Sequence, residues 1–276
     1  MRPWLFHVGD IGVPSYWAML MIGMLAAVYF SFREARRDGL DPNPLLDVSL
    51  VAIVLGIIGA RLMHVLVEEN PLRDGQLILF HYLDHPADIF NLWNGLAFYG
   101  GLLLALPVVL WMLKRKKLPV AKVADIFGLS LLLGLGFGRI GCFLAGCCHG
   151  VPTNLPMGVT FSDPACLARP LGVPLHPTQL YSSGFAFLLF ALLWLQKRRW
   201  RRFDGQVFLS FLLLYSAGRF LIEFVRGDNR GEFFNGALSS SQLIALPLVV
   251  LSLVLLVWLA RRARLLEARA EGEAKG

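Results

Sequence analysis

The sequence contains little charge: Asp, Glu, Lys and Arg make up only 16% of its 276 residues, whereas hydrophobic residues make up 56%. This balance excludes an ordinary soluble domain and is typical of a protein that crosses a membrane several times. The formal net charge of +7 does not indicate nucleic acid, because the basic residues stand in short runs between apolar segments. We therefore expect no nucleic-acid partner.

Features that mark several other protein classes are missing. No stretch resembles a cleaved signal peptide, so we expect the first apolar segment to remain as a span. There is no internal repeat, and the only biased segment is the charged end of the chain. The four cysteines crowd between Cys142 and Cys166, which is not the spread of a fold held together by disulfides.

Seven apolar segments approach the length of about 20 residues that a membrane-spanning helix requires. They cover 15–32, 48–67, 96–113, 124–143, 179–196, 206–225 and 240–260. The predicted fold class is therefore an all-α, polytopic membrane protein. We expect a single seven-helix domain over 1–266, followed by a flexible charged cytoplasmic tail over 267–276.

Basic runs predict the orientation of these helices. Lys and Arg cluster after the first, third, fifth and seventh segments, at 33–37, 114–117, 197–202 and 261–264. The positive-inside rule places such runs in the cytoplasm. The N-terminus is then expected outside and the C-terminus in the cytoplasm. The loops 68–95, 144–178 and 226–239 are also expected outside.

Arginines inside apolar segments are the most informative feature. A central Arg costs about 2.5 to 3.5 kcal/mol on membrane-insertion scales and usually serves a function. Arg61 and Arg139 lie in the second and fourth segments, and Arg219 lies in the sixth with Glu223 and Arg226 on the same helix face. Guanidinium groups bind phosphate bidentately. The pattern predicts an anionic lipid in a cavity open to the outer leaflet; snorkelling or internal ion pairing are the alternatives.

Tyrosines and glycines accompany the arginines. Tyr16 and Tyr99 are expected near the outer surface, where they could equally be ordinary residues of the aromatic belt. Tyr215 stands one turn before Arg219. Four glycines allow either close helix packing or a broken helix with exposed backbone donors. They are Gly134, Gly136, Gly138 and Gly141.

Cysteines and histidines crowd around the loop that follows the fourth segment. They are Cys142, Cys147, Cys148, His149, Cys166 and His176. These residues would suffice for zinc, but their spacing matches no common metal motif, so we predict neither a metal nor another cofactor. A disulfide from Cys166 to Cys147 or Cys148 is favoured in an oxidising outer compartment. Cys142 is equally consistent with plain apolar packing.

Several stretches resemble the prolipoprotein diacylglyceryl transferase family. Gly138-Arg-Ile-Gly-Cys-Phe-Leu-Ala-Gly-Cys-Cys-His-Gly150 looks like its signature, and 215–226 is similar to its sixth-helix motif. Tyr99-Gly-Gly-Leu102 resembles the family's His-Gly-Gly-Leu, and His176-Pro-Thr-Gln-Leu-Tyr181 resembles its His-Pro-Ser/Thr-Gln-Leu-Tyr. Tyr16 fits the tyrosine of the family's first helix, and Gly59-Ala-Arg61 fits the arginine of its second.

The resemblance implies a reaction and a set of site residues. Phosphatidylglycerol, a membrane lipid, would give its diacylglyceryl group to the lipobox cysteine of an exported pre-lipoprotein in the bacterial inner membrane, with a thioether formed and glycerol phosphate released. The implied catalytic residues are Arg139, Arg219, Tyr99, Glu223 and Tyr16. The implied lipid-binding residues are Arg139, Arg61, Gly138, Gly141, Cys142, Gly150, His176, Gln179, Tyr215 and Arg226.

The chain departs from the family's pattern in the residues that would handle protons. Tyr99 stands where the family commonly has His, Cys142 where it has Asn, and Cys147 where it has an acidic residue. A phenol with a pKa near 10 is a poor base at neutral pH. His149 or His176 could substitute if the outer loop folds inward.

Three other functions remain open. The same lipid donor could serve a different acceptor. The chain could bind or transport lipid without turnover, although no two related halves are visible. Quinone-linked thiol oxidation would use the cysteines but leaves the membrane arginines unexplained, and Cys147-Cys148 is not the usual Cys-x-x-Cys.

Overall fold

The computed structural model describes residues 3–8, 11–67, 79–90, 95–227, 232–233 and 238–273. Seven long helices confirm the seven predicted spans, each long and apolar enough to cross a membrane. Together with the short α3, they are α1 (Ser15–Arg37), α2 (Pro42–Val67), α3 (Leu79–Asp84), α4 (Phe98–Arg115), α5 (Val120–Ala145), α6 (Thr178–Arg199), α7 (Gln206–Glu223) and α8 (Ser240–Glu273). A 3-10 turn covers Pro86–Phe90. The predicted all-α membrane class is confirmed, whereas the orientation stays a prediction.

Short antiparallel hairpins add strands that the sequence pattern did not predict. β1 (Trp4–Val8) pairs with β2 (Ile11–Pro14) directly before α1. β3 (Val159–Thr160) pairs with β4 (Pro174–Leu175) in the long loop between α5 and α6. β5 (Glu232–Phe233) pairs with β6 (Leu238–Ser239) just before α8. Their brevity explains why alternation of apolar and polar residues could not reveal them.

All four helices that precede the basic runs extend beyond their predicted ends, and α4 continues to Arg115. α1 continues through Arg36 and Arg37, and α6 ends at Arg199. α8 continues to Glu273, within the segment predicted as a flexible tail. Lys, Arg, Glu and Ala are good helix formers, so the backbone need not stop where the apolar stretch ends.

The chain forms two compact units, one of residues 1–30 and 121–276 and the other of residues 31–120. The predicted single domain over 1–266 stays a prediction.

In the unit of residues 31–120, α2 packs against α4 through glycines. A Cβ on Gly59 would lie 2.4 Å from the carbonyl oxygen of Gly100, and one on Gly101 would lie 2.6 Å from that of Gly56. Only glycine permits this approach, so the pair after Tyr99 packs helices together.

The larger unit has an apolar core between α5, α6 and α7. Its buried members include Leu132, Leu189 and Phe211. Asp125 on α5 is fully buried and accepts hydrogen bonds from the backbone nitrogens of Gly205 and Phe208, at 2.9 and 2.8 Å. These donors lie at the N-terminus of α7, where a carboxylate satisfies unpaired N–H groups and complements the helix dipole. The start of α7 is therefore fixed against α5.

Candidate functional site

The end of α5 brings Cys142 beside Cys147. Gly146 has a φ of +82°, its backbone nitrogen donates to the carbonyl oxygen of Phe143, and that of Cys147 donates to the carbonyl oxygen of Cys142. These two bonds define a Schellman motif, in which the chain turns back over the last helical turn. Residues that are five apart in the sequence thus become neighbours.

Cys148 completes a cluster of three thiols. The Sγ atoms of Cys142, Cys147 and Cys148 lie within 4.8 Å of one another. Cys148 adopts a φ of +61°, a left-handed conformation that non-glycine residues seldom adopt. The pKa of the Cys148 thiol is lowered below its ordinary value, mainly by hydrogen bonds with the Cys142 and Cys147 thiols. The positive charges of Arg226 and Arg139 lower this pKa further.

The start of α6 fixes the backbone of this cluster. Gln179 is fully buried and its Nε2 donates to the carbonyl oxygen of Cys147 at 2.7 Å. The Thr178 hydroxyl donates to the carbonyl oxygen of Cys148 at 2.8 Å. The Gln179 side-chain nitrogen thus binds the protein backbone, and the lipid contact of Gln179 stays a prediction. This pair of side chains holds both cysteines in place.

Gly150 joins the thiol loop to the segment that follows α7. Gly150 forms an isolated antiparallel β-bridge with Arg226. A Cβ on Gly150 would lie 2.4 Å from the carbonyl oxygen of Val225. On the other side its nitrogen donates to the carbonyl oxygen of His176 at 2.8 Å. Glycine is required here because three backbone segments meet, so the structure gives Gly150 a packing role.

Arg139 lies beside the thiol cluster and has no hydrogen-bond or ion-pair partner among the described residues. It lies on α5 three residues before Cys142 and is half-buried. Across the described ranges, its guanidinium makes no hydrogen bond or ion pair. Its charge acts on Tyr215 of α7 and on the three thiols. A half-buried guanidinium without a counter-ion is costly in an apolar span, so this group fits an anionic ligand.

Tyr16 and Gly141 border the same place. Tyr16 on α1 interacts electrostatically with Arg139 and with all three thiols of the cluster. A Cβ on Gly141 would lie 3.1 Å from the carbonyl oxygen of Tyr16, so this glycine lets α5 approach α1. By contrast, a Cβ on Gly138 would meet no described atom within 4 Å. The helix face beside Arg139 is therefore open.

Arg219 is held by two partners. It forms an ion pair with Glu223 four residues later on α7, and its Nη2 donates to the Ser241 hydroxyl of α8 at 3.0 Å. Tyr215 lies one turn before Arg219, or about 6 Å along the helix axis. Since Arg139 acts on Tyr215, both arginines approach adjacent turns of α7.

A capping box at the start of α8 supports this ion pair. Ser239 accepts from the backbone nitrogen of Gln242 at 3.3 Å, and Gln242 Oε1 accepts from the nitrogen of Ser239 at 3.0 Å. The same Ser239 hydroxyl donates to Glu223 Oε1 at 2.8 Å. The carboxylate is thus anchored at both oxygens, which fixes the direction of the Arg219 guanidinium.

The comparisons with known proteins agree with this arrangement. The family profile described as prolipoprotein diacylglyceryl transferase matches residues 3–258. The chain belongs to this family. Among curated relatives, the phosphatidylglycerol–prolipoprotein diacylglyceryl transferase of Clostridium tetani is 36% identical, covering 92% of this chain and 96% of the relative. The enzyme of the same name from Symbiobacterium thermophilum is 34% identical, covering 94% and 93%. The chain is therefore a multi-pass bacterial membrane transferase.

Arg61 and Tyr99, which the family resemblance placed in the site, lie in the unit of residues 31–120. Arg61 is buried, and its Nε and Nη atoms donate to the carbonyl oxygens of Asp88, Ile89 and Gly95 and to the Tyr82 hydroxyl, at 2.7 to 3.1 Å. Arg61 thus fastens the segment before α4. Tyr99 is 42% exposed and its ring contacts Phe98 edge to face.

Both histidines of the loop between α5 and α6, His149 and His176, have protein partners. His149 Nε2 accepts from the backbone nitrogen of Arg169 at 3.3 Å, so its proton lies on Nδ1, which faces the carbonyl oxygen of Gly150 at 3.0 Å. The proton-accepting nitrogen of His149 is therefore occupied. His176 Nδ1 faces the Tyr181 hydroxyl at 3.3 Å. His149 is thus a poor candidate for the base that replaces the family's histidine.

Two expectations about the α5 region are corrected. The predicted disulfide from Cys166 to Cys147 or Cys148 is wrong, because none of the four cysteines forms a disulfide. Cys166 packs in a separate buried cluster with Phe161 and Leu175. The broken-helix alternative is also wrong, since α5 is continuous from Val120 to Ala145.

Four residues that position the side chains of the candidate site were not predicted from the sequence. Thr178 holds the Cys148 backbone, whereas Ser239, Ser241 and Gln242 hold Glu223 and Arg219. A sequence signal existed for the second group, because Ser239-x-x-Gln242 before an apolar run is a capping-box pattern. No local pattern could indicate that Thr178 would reach Cys148, 30 residues earlier.

Proposed function

We propose that this chain transfers the diacylglyceryl group of phosphatidylglycerol to the lipobox cysteine of an exported pre-lipoprotein. The observation that carries the proposal is the half-buried guanidinium of Arg139, which has no partner among the described residues. It acts on Tyr16 and Tyr215 and stands next to the open position Gly138. Family membership supports the same lipid donor and acceptor, since the curated relatives carry both in their names.

The phosphate of the lipid lies at Arg139. A guanidinium fork matches the two free oxygens of a phosphodiester and keeps its charge when partly desolvated. The Gly138 face provides room for the head group. Tyr16 and Tyr215 border the phosphate and can donate their hydroxyls to it.

Arg219 is the second residue that donates hydrogen bonds to the lipid phosphate. Glu223 and Ser241 already fix its direction, so no side-chain entropy is lost when the lipid binds. Pre-oriented donors of this kind contribute most when negative charge grows in the transition state. That charge grows on the phosphate oxygen as the bond to the glyceryl carbon breaks.

The reaction is a substitution at carbon. The acceptor sulfur forms a bond to the terminal carbon of the diacylglyceryl group, and the carbon–oxygen bond to phosphate breaks. The electron pair leaves on the phosphate oxygen, so the products are a thioether and glycerol phosphate. The acceptor proton must be removed, because the thiolate is the nucleophile. Tyr99 is a weak candidate for that step, since a phenol is a poor base at neutral pH.

The proposal places the site on the outer side of the bacterial inner membrane. The basic runs after α1, α4, α6 and α8 lie in the cytoplasm by the positive-inside rule. The ends of α5 and α7 that carry Cys142 and Glu223 then lie outside, where an exported acceptor emerges.

The test is a transfer assay with purified protein. Phosphatidylglycerol labelled in the diacylglyceryl group is incubated with a peptide that contains a lipobox cysteine, and with the same peptide carrying Ser instead. We expect a labelled thioether and one glycerol phosphate for each transfer with the cysteine peptide only. Lipid turnover without peptide labelling would indicate another acceptor, and tight lipid binding without turnover would overturn the enzymatic proposal.

A further inference from the structure

The three-thiol cluster is a feature that phosphate binding leaves unexplained. The Sγ atoms of Cys142, Cys147 and Cys148 lie within 4.8 Å of one another. Zinc forms bonds of about 2.3 Å to thiolate sulfur, so three such ligands lie about 3.8 to 4.0 Å apart. Small rotamer changes would bring the three sulfur atoms to these distances. The sequence spacing gave no sign of this site because the Schellman turn creates it.

We propose that Cys142, Cys147 and Cys148 bind a zinc ion, and that the acceptor thiol of the proposed transfer becomes its fourth ligand. The inference rests on the proposed function for the identity of that thiol. The zinc site itself rests only on the cluster and its surroundings.

The cluster is built to hold its shape. Gln179 and Thr178 fix the carbonyl groups of Cys147 and Cys148, and the Schellman bonds fix Cys147 over Cys142. Cys148 retains an unfavourable left-handed backbone. Such strain persists only when the surroundings impose it, and it concentrates at ligand sites.

The charge of the surroundings suits three thiolates around a divalent ion. Zinc with three thiolates carries a net charge of −1. The positive charges of Arg139 and Arg226 both act on Cys148. They would offset that excess in a partly buried place, where an uncompensated charge is costly.

Three protein ligands leave a coordination position for a reactant, as in catalytic zinc sites. Gly138 is one turn before Cys142 on α5, and a Cβ there would meet no described atom within 4 Å. The open space therefore lies one helical turn before the cluster, next to Arg139, whose charge acts on all three thiols. A thiol at the fourth position and a phosphate at Arg139 would be neighbours, which is the arrangement that the substitution needs.

The fourth position would also remove the need for a protein base. A thiol that coordinates zinc loses its proton, which passes to solvent. The sulfur lone pair then forms the bond to the glyceryl carbon while the carbon–oxygen bond breaks and its electrons leave on phosphate. The thioether product is neutral and binds the ion less strongly than a thiolate, so it can depart. No oxidant or reductant is involved. This route is consistent with Tyr99 in place of a histidine.

Metal content is the first test. Full-length protein, purified in detergent and exposed to zinc chloride, is desalted and analysed by mass spectrometry for bound zinc. We expect about one zinc ion per chain, and a loss of at least tenfold in affinity for each of Cys142→Ser, Cys147→Ser and Cys148→Ser. Cys166→Ser is the matched control, because this thiol lies in the separate cluster, and it should keep the zinc.

Cobalt substitution tests the fourth position without relying on a variant. The cobalt protein should show the visible absorption of a tetrahedral thiolate site, and this spectrum should shift when the lipobox cysteine peptide is added. The peptide with Ser should cause no shift. Absence of zinc and of a cobalt spectrum from active protein would overturn the zinc site and leave the proposed transferase intact. If the protein binds the metal but transfers no diacylglyceryl group, the zinc site stands and the proposed transferase function is refuted. If the protein is active but its cobalt spectrum does not shift when the cysteine peptide is added, the acceptor thiol is not the fourth ligand.

Discussion

Gln179 is fully buried and donates a hydrogen bond to the carbonyl oxygen of Cys147, 32 residues earlier in the chain. This bond connects the start of α6 to the loop after α5. It gives a physical reason for the Gln in His176-Pro-Thr-Gln-Leu-Tyr181, which the family resemblance had assigned to lipid binding.

Replacement of Gln179 by Leu should destabilise the protein. The partly buried carbonyl group of Cys147 would lose its donor, which costs about 1 to 3 kcal/mol when the group is shielded from water. Thermal unfolding in detergent should show a lower midpoint. Ser182→Ala is the control, since that hydroxyl bonds only to the carbonyl oxygen of Thr178 in its own helix. Equal midpoints for Q179L and the native chain would contradict the role in positioning Cys147.

Gly138 and Gly150, two of the three glycines that the family resemblance assigned to lipid binding, should behave differently. Gly150→Ala places a Cβ 2.4 Å from a carbonyl oxygen, so we expect a lower unfolding midpoint and lost activity. Gly138→Ala meets no protein atom within 4 Å among the described residues and should fold normally. If lipid occupies that space, G138A should raise the KM for phosphatidylglycerol. An unchanged KM would show that the head group lies elsewhere.

Arg61 should stabilise its unit. Arg61→Lys retains the charge but cannot reach the four acceptors that hold the segment before α4. We expect faster amide exchange and proteolysis at 79–90 and 95–97 and a lower unfolding midpoint. Arg115→Lys is the control, because Arg115 lies over the exposed Trp111 ring and makes no hydrogen bond to the segment before α4 among the described residues. Loss of lipid affinity at unchanged stability would instead support a phosphate contact.

Tyr99 should not carry the acceptor proton. Tyr99→Phe removes the hydroxyl and keeps the exposed ring at the start of α4. We expect kcat to change by less than about threefold, because loss of a general base typically costs about 100-fold or more. Single-turnover transfer rates across pH would measure this. A decrease of two orders of magnitude in Y99F would restore Tyr99 as the base.

The fold was more accessible to prediction than the site. Long apolar segments set the seven helices, since each must satisfy its own backbone within the membrane. The ion pair of Arg219 with Glu223 follows from their spacing on one helix face. The contacts of Cys147 with Gln179 and of Arg61 with Gly95 join distant parts of the chain, and no local pattern specifies such partners. The thiol cluster lay between these cases, because Gly146 could have indicated a Schellman turn that returns Cys147 to Cys142.

The most direct test of the account is the transfer rate of Arg139 variants with labelled phosphatidylglycerol and the lipobox cysteine peptide. We predict that Arg139→Ala lowers kcat/KM by about 100- to 1000-fold, the usual loss when a donor to developing charge is removed. Arg139→Lys should recover part of the rate, since it restores charge without the fork. Arg262→Ala, at an exposed arginine beside Trp258 on α8, should match the native chain. Native rates in a folded R139A protein would contradict the central claim that this guanidinium holds the lipid phosphate.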